Sequence, residues 1–363
     1  MNGGRGQLGL FLRDRRHNMQ RILTIAIVVW FGRLLAGAQN LQIYFVDVEG
    51  GAATLSVSPG GQALLADAGS MVPGDRDARR IFEVTKLAGL KKLDYVLTTH
   101  FDSDHVGGTP ALARLIPVGK FLDHGDSIET SAARDMARWQ AYLSVAAGKR
   151  VKMKPGDRIP LKGVRITVAS SNAEVLAKPI NGGKSNEALC KVAEHKKPDV
   201  SENERSLGFL LTYGKFKFLD LGDLTWEKEL ELACPVNKLG KVTLYQPSWH
   251  GFFNDASGPP AHVTAVEPQV VIVNNGPRKG IATSALYERL SKIPGIEGIW
   301  QMHKSLINEA DKGHNTSEEM MANLEPTSEC LGHWLKVTVE PGGKFTVTNS
   351  RNNFSRTYTA RSP

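Results

Sequence analysis

The stretch Thr99-His100-Phe101-Asp102-Ser103-Asp104-His105-Val106-Gly107-Gly108 constrains this chain more than any other. It places two imidazoles and two carboxylates in six residues, directly after an apolar, strand-like run, Tyr95-Val96-Leu97. A strand end holds its side chains rigidly, and the loop that follows can turn several of them toward one point. Asp104 and His105 are adjacent, so they project to a different side from His100 and Asp102. One segment can therefore serve two neighbouring cations. Imidazole nitrogen and carboxylate oxygen suit Zn, Mn or Fe, and the carboxylate enrichment favours the harder ions. The competing reading is a solvated polar loop that happens to carry two histidines.

The rest of the chain supplies a scaffold of the right kind. Leu41 to Asp47, Ala53 to Val57 and Ala63 to Ala66 read as short strands separated by glycine turns. A helix fits from about Asp75 to Ala88, with Ile81, Phe82, Val84 and Leu87 near one face. Strand Asp94–Thr98 delivers the opening motif, followed by helical stretches at Pro110–Leu115 and Ser131–Ala147. From Pro155 the pattern restarts, with strands near Val164–Ala169, Leu207–Thr212, Phe216–Leu221, Val242–Tyr245 and Val270–Val273. Helices at Glu227–Ala233 and Thr283–Leu290 intervene, and Ser171–Arg205 reads as a long polar loop. A terminal hairpin, Trp334–Val339 with Phe345–Thr348, closes the chain. Strands, crossing helix and strands in each half predict an α/β layered fold, an αββα four-layer sandwich with the site between the halves.

A two-metal hydrolase also needs a carboxylate that bridges both cations and a further neutral ligand on the second. Leu219-Asp220-Leu221-Gly222-Asp223 ends an apolar strand, and Gly222 permits a sharp exit that aims Asp223 inward. The alternative role for Asp223 is to cap the helix that follows. Tyr245-Gln246-Pro247-Ser248-Trp249-His250-Gly251 again follows a strand and offers His250. The predicted ligands are thus His100, Asp102, Asp104, His105, Asp223 and His250. Two cations about 3.5–4 Å apart would share a water and lower its pKa, with Asp102 or Asp104 orienting the nucleophile or taking its proton. Zinc is the expected pair of ions, with manganese the alternative.

His-x-[His/Asp]-x-Asp-His-x-Gly-Gly after a strand resembles the signature of the metallo-β-lactamase-fold hydrolases, and Asp102 resembles the variant of the ComEC-type, competence-related branch. The similarity extends to Val46-Asp47-Val48-Glu49-Gly50, Asp67-Ala68-Gly69, Asn203-Glu204-Arg205-Ser206-Leu207, Gly222-Asp223 and His250-Gly251, spanning roughly residues 41–300. The resemblance implies phosphodiester or nucleic-acid cleavage. A β-lactam or lactone hydrolase and a non-catalytic binding domain with a degenerate metal site are the rival readings. Two departures stand out. The wider superfamily places a third histidine ligand where this chain reads Val168-Ala169-Ser170-Ser171-Asn172, and its His-His-Gly is Trp249-His250-Gly251 here. The first cation would then rest on His100, Asp102 and Asp223. His124 is the nearest substitute, unless it is a loop histidine bonded to Asp123 or Asp126.

Other residues carry weaker signals. His303 and His314-Asn315 either line the substrate cleft or serve packing and loops, Lys279 either meets an anionic substrate or sits on a solvated loop, and His195 reads as surface. The net charge is +8, but residues 1–38 hold six arginines against Asp14, so five of those charges lie there and three remain (8 − 5). That near-neutral remainder weakens the case for a nucleic-acid partner and favours a small-molecule or phosphodiester substrate. Residues 1–38 read as a signal peptide, with eleven mostly apolar residues from Ile22 to Gly32 and the small-x-small site Ala36-Gly37-Ala38. That run is too short for a stable membrane span, which needs about 20 residues. The expectation is a secreted or periplasmic protein with a hydrolase domain over 39–363 and no protein partner implied. Cys190, Cys234 and Cys330 lack metal-ligand spacing; isolated buried thiols are the default, and in an oxidising compartment the alternative is one bridged pair, not identified by the sequence, with one cysteine free.

Overall fold

Alternation along the strands sets the architecture. In Leu41–Phe45, Leu41, Ile43 and Phe45 point to one side and Tyr44 to the other, yet all are buried. The same holds for Leu64 against Leu65, Leu97 against Val96, Phe218 against Leu219, and Ile272 against Val271. Strands apolar on both faces must be covered on both faces. The structure, a computed structural model, describes residues 1, 40–181, 183–252, 255–279, 284–307, 314–326 and 329–361. The predicted signal peptide, apart from Met1, lies outside the described residues. Asn40–Pro363 forms one compact unit.

Two nine-stranded sheets make up that unit. The first runs Ser355–Thr359, Lys344–Asn349, Leu335–Val339, Leu41–Phe45, Thr54–Val57, Ala63–Ala66, Leu93–Leu97, Val118–Asp123 and Arg150–Lys152. The second runs Met321–Asn323, Gly298–His303, Val270–Val273, Leu244–Gln246, Phe216–Asp220, Gly208–Tyr213, Arg165–Ser171 and Arg158–Ile159, with Glu174–Val175 paired to Arg165–Ser171. A shared core fills the space between them, where Phe45 and Phe218 meet edge to face at 5.8 Å. The outer face of the first sheet packs on helices Arg76–Leu87, Thr109–Leu115 and Ala133–Ala146, and that of the second on Trp226–Ala233, Pro260–Val266 and Ser284–Ser291. Each fully buried aliphatic or aromatic side chain contributes about 1.5–3 kcal/mol to this arrangement.

The αββα four-layer order is therefore present as expected, with two refinements. The terminal hairpin is a three-stranded meander, because Ser355–Thr359 pairs with Lys344–Asn349. The expected long loop carries a one-turn helix, Glu187–Cys190, tied to helix Trp226–Ala233 by a Cys190–Cys234 disulfide with Cα atoms 5.7 Å apart. The default of three isolated thiols is corrected in favour of the alternative of one bridged pair: residues 44 apart in sequence are brought together by the pairing of the loop with that helix, and Cys330 alone stays free. Among the described residues, no helix is long and apolar enough to cross a membrane.

Topology then places the chemistry. Ala63–Ala66, Leu93–Leu97 and Val118–Asp123 are parallel neighbours, as are Phe216–Asp220, Leu244–Gln246, Val270–Val273 and Gly298–His303. In parallel sheets of this kind ligands bind beyond the carboxyl ends of the strands. Here the carboxyl ends of both parallel sets supply the same cluster of side chains.

Candidate metal centre

His105 is the hub. Its Nδ1 faces Asp67 Oδ2 at 2.8 Å, and Asp67 also accepts from Thr99 N and Thr99 Oγ1, each at 2.8 Å. Asp67 thereby locks the imidazole and the start of the motif loop in one orientation. The locked ring directs Nε2 into the cluster: 3.3 Å from His250 Nε2, 3.4 Å from Asp223 Oδ2 and 3.7 Å from Asp104 Oδ2. His250 Nε2 lies 3.2 Å from Asp104 Oδ2 and 3.3 Å from Asp223 Oδ2. Two imidazole nitrogens and two carboxylate oxygens thus converge from three loops.

His100 stands on the other side, its ring 4.1 Å from that of His105, and His100, His105 and Asp223 offer donor atoms within 4.8 Å of one another. His100 Nδ1 faces Thr99 Oγ1 at 3.0 Å, while its buried Nε2 has no hydrogen-bond partner and faces Asp102 Oδ2 at 3.5 Å. Asp102 is the open member, with 31% of its side chain exposed. All six predicted ligands are therefore brought to one place. Asp223 does not cap the following helix, whose N-cap is Thr225.

Local backbone explains why these residue types stand where they do. Gly222 has φ 60°, and a Cβ there would come within 2.8 Å of Thr99 Cβ, so only glycine lets Asp223 reach the motif loop. Gly108 abuts the carbonyl of Ala68, where any Cβ would collide. Trp249 and His250 have φ 52° and 54°, a left-handed conformation costly for such side chains and characteristic of functional sites. Below that turn, Glu229 accepts from Ser248 Oγ at 2.7 Å and from Gly258 N, bracing the loop that carries His250.

The charges are strongly coupled. Burial opposes charging His105, but Asp223, Asp67 and Asp104 outweigh it and hold the imidazole well above its ordinary value. His250 rises for the same reasons, chiefly through Asp223 once burial is overcome. Burial would raise Asp223 and Asp104, yet the two imidazoles, joined at Asp104 by Lys279, hold both carboxyls well below the ordinary range. The carboxylates thus demand positive charge at this point, and in the polypeptide alone protonated imidazoles supply it. Convergent buried imidazole and carboxylate donors fit divalent cations, which would take the place of the imidazole protons. His105, His250, Asp104 and Asp223 would hold one, and His100, Asp102 and Asp223 the other.

Several weaker expectations are corrected. His124 neither joins the cluster nor bonds Asp123 or Asp126. Its Nε2 meets Glu202 Oε2 at 2.9 Å, and Glu202 also accepts from Phe101 N, Ser127 Oγ and Ile128 N. Asp123 and Asp126 are instead engaged by Arg150, which removes them as partners. Lys279 is no solvated loop cation, since its ammonium pairs with Asp104 Oδ2. His303 is buried on Asp47 at 2.6 Å, and His195 is exposed beside Glu227, as a surface residue should be. Sequence reasoning assigned no role to Asp67 or Glu202. Asp67 was detectable, because it too follows an apolar strand end; Glu202 sits in a polar loop with no such signal.

Residues 46–173 match the family model described as the metallo-beta-lactamase superfamily, roughly a third of the chain and including Asp67 and the motif loop. No curated protein matches the sequence. Among solved structures, the diiron beta-hydroxylase CmlA from Streptomyces venezuelae is 15% identical with a TM-score of 0.39, over 65% of this chain and 44% of that one. The metallo-beta-lactamase fold protein YhfI from Bacillus subtilis is 12% identical with a TM-score of 0.42, over 72% of this chain and 95% of that one. A Cronobacter sakazakii metallo-beta-lactamase is 14% identical with a TM-score of 0.32, over 50% and 60%. The chain spans about half the length of CmlA.

Proposed function

We propose that this protein is a metal-dependent hydrolase of the metallo-β-lactamase superfamily, of the ComEC-type branch, acting on phosphodiester-type substrates. The observation that carries the reading is the convergence of His105, His250, Asp104 and Asp223 at 3.2–3.7 Å, with His100 and Asp102 adjoining. Divalent cations held there by these residues would supply an acidified water and polarise the scissile group. The chain's own residues do the rest. Asp67 fixes His105, Asp102 is the most open of the carboxylates and is placed to take a proton, and Lys279, paired with Asp104, puts a positive charge at the edge of the cluster.

Phosphodiesters are favoured over β-lactams by the carboxylate at Asp102 and by Ser170-Ser171 standing where a third histidine ligand is expected. Export is part of the proposal, supported by the Cys190–Cys234 disulfide, a bond that persists in oxidising compartments. The test is metal analysis of the full chain, followed by assay of bis-p-nitrophenyl phosphate beside nitrocefin and a lactone, with Asp104→Ala as control. The expected result is about two cations per chain at this centre and turnover of the phosphodiester, lost in Asp104→Ala. Turnover of nitrocefin alone overturns the substrate class. Fewer than one cation at this centre after Zn or Mn loading overturns the hydrolase.

A further inference from the structure

We infer that the chain carries a third cation site, built by Asp47, Glu49, His303 and Cys330. Asp47 follows strand Leu41–Phe45 of the first sheet, and His303 ends Gly298–His303 of the second. Cys330 lies in the connection that leaves Met321–Asn323. One donor atom from each of the four residues lies within 4.8 Å of all the others. His303 Nε2 is 2.6 Å from Asp47 Oδ1 and 3.9 Å from Glu49 Oε2, and Cys330 Sγ is 3.3 Å from Asp47 Oδ2. None of the four belongs to the centre described above.

An ion-pair network explains only part of this cluster. Arg80 Nη1 meets Asp47 Oδ2 at 2.6 Å and Glu49 Oε1 at 3.0 Å, and Arg80 Nη2 donates to the carbonyl of Cys330. Glu49 Oε2 is left buried without a hydrogen-bond partner, on a side chain only 5% exposed, and it is directed toward His303. A buried, unpartnered carboxylate oxygen is costly unless a cation meets it. Charge agrees with this reading. Burial and Asp47 keep the Cys330 thiol protonated in the polypeptide alone; once a cation displaced that proton, Asp47, Glu49 and the thiolate would bring three negative charges, Arg80 would return one, and the remaining two would equal the charge of a divalent cation. One sulfur, one imidazole nitrogen and two carboxylate oxygens suit zinc, and the thiol gives up its proton on binding.

The site's place in the fold suggests what it does. Asp47 and Glu49 open the segment whose Ala52 N donates to the carbonyl of Asp104 at 3.1 Å, so a cation here would staple the two sheets beside the main centre. It is a structural site, independent of the proposed hydrolysis. The test uses the full chain loaded with cobalt(II). Cys330 is the single free cysteine and the main centre has no sulfur, so a thiolate-to-cobalt charge-transfer band in the near ultraviolet reports this site alone. The expected wild-type chain shows the band and binds three cations. Cys330→Ser loses the band and one cation, Glu49→Gln keeps the band but weakens cobalt binding by roughly 10–100-fold, and Asp223→Ala keeps the band while losing the others. Absence of the band in wild type at saturating cobalt, or its persistence in Cys330→Ser, overturns the site.

Discussion

On one side of Asp223, His105, His250 and Asp104 lie within 3.2–3.7 Å of one another, both imidazoles fully buried and held by neighbours on three loops. On the other side, His100 and Asp102 face each other at 3.5 Å, Asp102 is partly open to solvent, and Ser206 Oγ lies 3.5 Å from His100 Nδ1. The polypeptide offers more donors to a cation in the first half than in the second, where water or substrate would complete the coordination. In catalytic metal sites the open position is where the substrate enters, whereas closed positions anchor the ion. On the proposed two-metal reading, the Asp104–His105–His250 half would anchor a cation and the His100–Asp102 half would receive the substrate.

The largest effect is expected at the residue the halves share. Asp223→Ala removes a ligand from both, so metal bound at this centre should fall below one cation per chain and kcat/KM by about 10³-fold or more. Retention of two cations by this variant, measured by elemental analysis, would show that the halves do not share a ligand. A smaller and unequal pair of effects should separate the halves from each other. His250→Ala takes a ligand from the closed half and should weaken one cation by more than about 100-fold. Asp102→Ala, in a half already completed by water, should cost roughly tenfold in affinity. Asp102→His should retain the cation and shift preference from manganese toward zinc, because imidazole is the softer donor. Isothermal titration of each ion into the three variants reads both comparisons, and equal losses in His250→Ala and Asp102→Ala would erase the asymmetry.

The same asymmetry marks what the sequence could reveal. Every ligand in the cluster follows an apolar strand, and hydrophobic runs ending in His or Asp are local signals, so Asp223 and His250 were legible beside the motif loop. The layered fold was legible for the same reason, since strands apolar on both faces demand two covering layers. What supports the ligands was less visible. Glu202 reaches Phe101 N across 101 residues, and the disulfide joins a polar loop to a helix; such contacts depend on tertiary pairing that no local pattern encodes. Trp249 and His250 adopt a left-handed turn that their residue types disfavour, a conformation imposed by the surrounding structure rather than by propensity.

Two buried carboxylates brace the two halves, and they are held in opposite protonation regimes. Burial would raise Glu202, under the His100 side, but His124 and the donors Ile128 N and Ser127 Oγ bring it down to about 2. Glu229, under the His250 loop, is pushed by burial up to about 7, against the pull of Ser248 and Gly258. The linkage signs follow. Glu202 ionises more readily folded than unfolded, so its stabilisation is present above its ordinary 4.5 and lost as pH falls toward 2. Glu229 holds its proton more tightly folded, so its stabilisation is complete below 4.5 and lost as pH rises through 7. Each swing is at most about 3 kcal/mol. Urea unfolding of wild type, Glu202→Gln and Glu229→Gln between pH 4 and pH 9 isolates the two terms by difference. Glu229→Gln should gain on wild type as pH rises to 7 and stay level beyond it. Glu202→Gln should lose ground as pH rises from 4 to 6 and hold a constant deficit above that. Parallel curves for the two variants would mean that the braces, unlike the ligands they support, are equivalent.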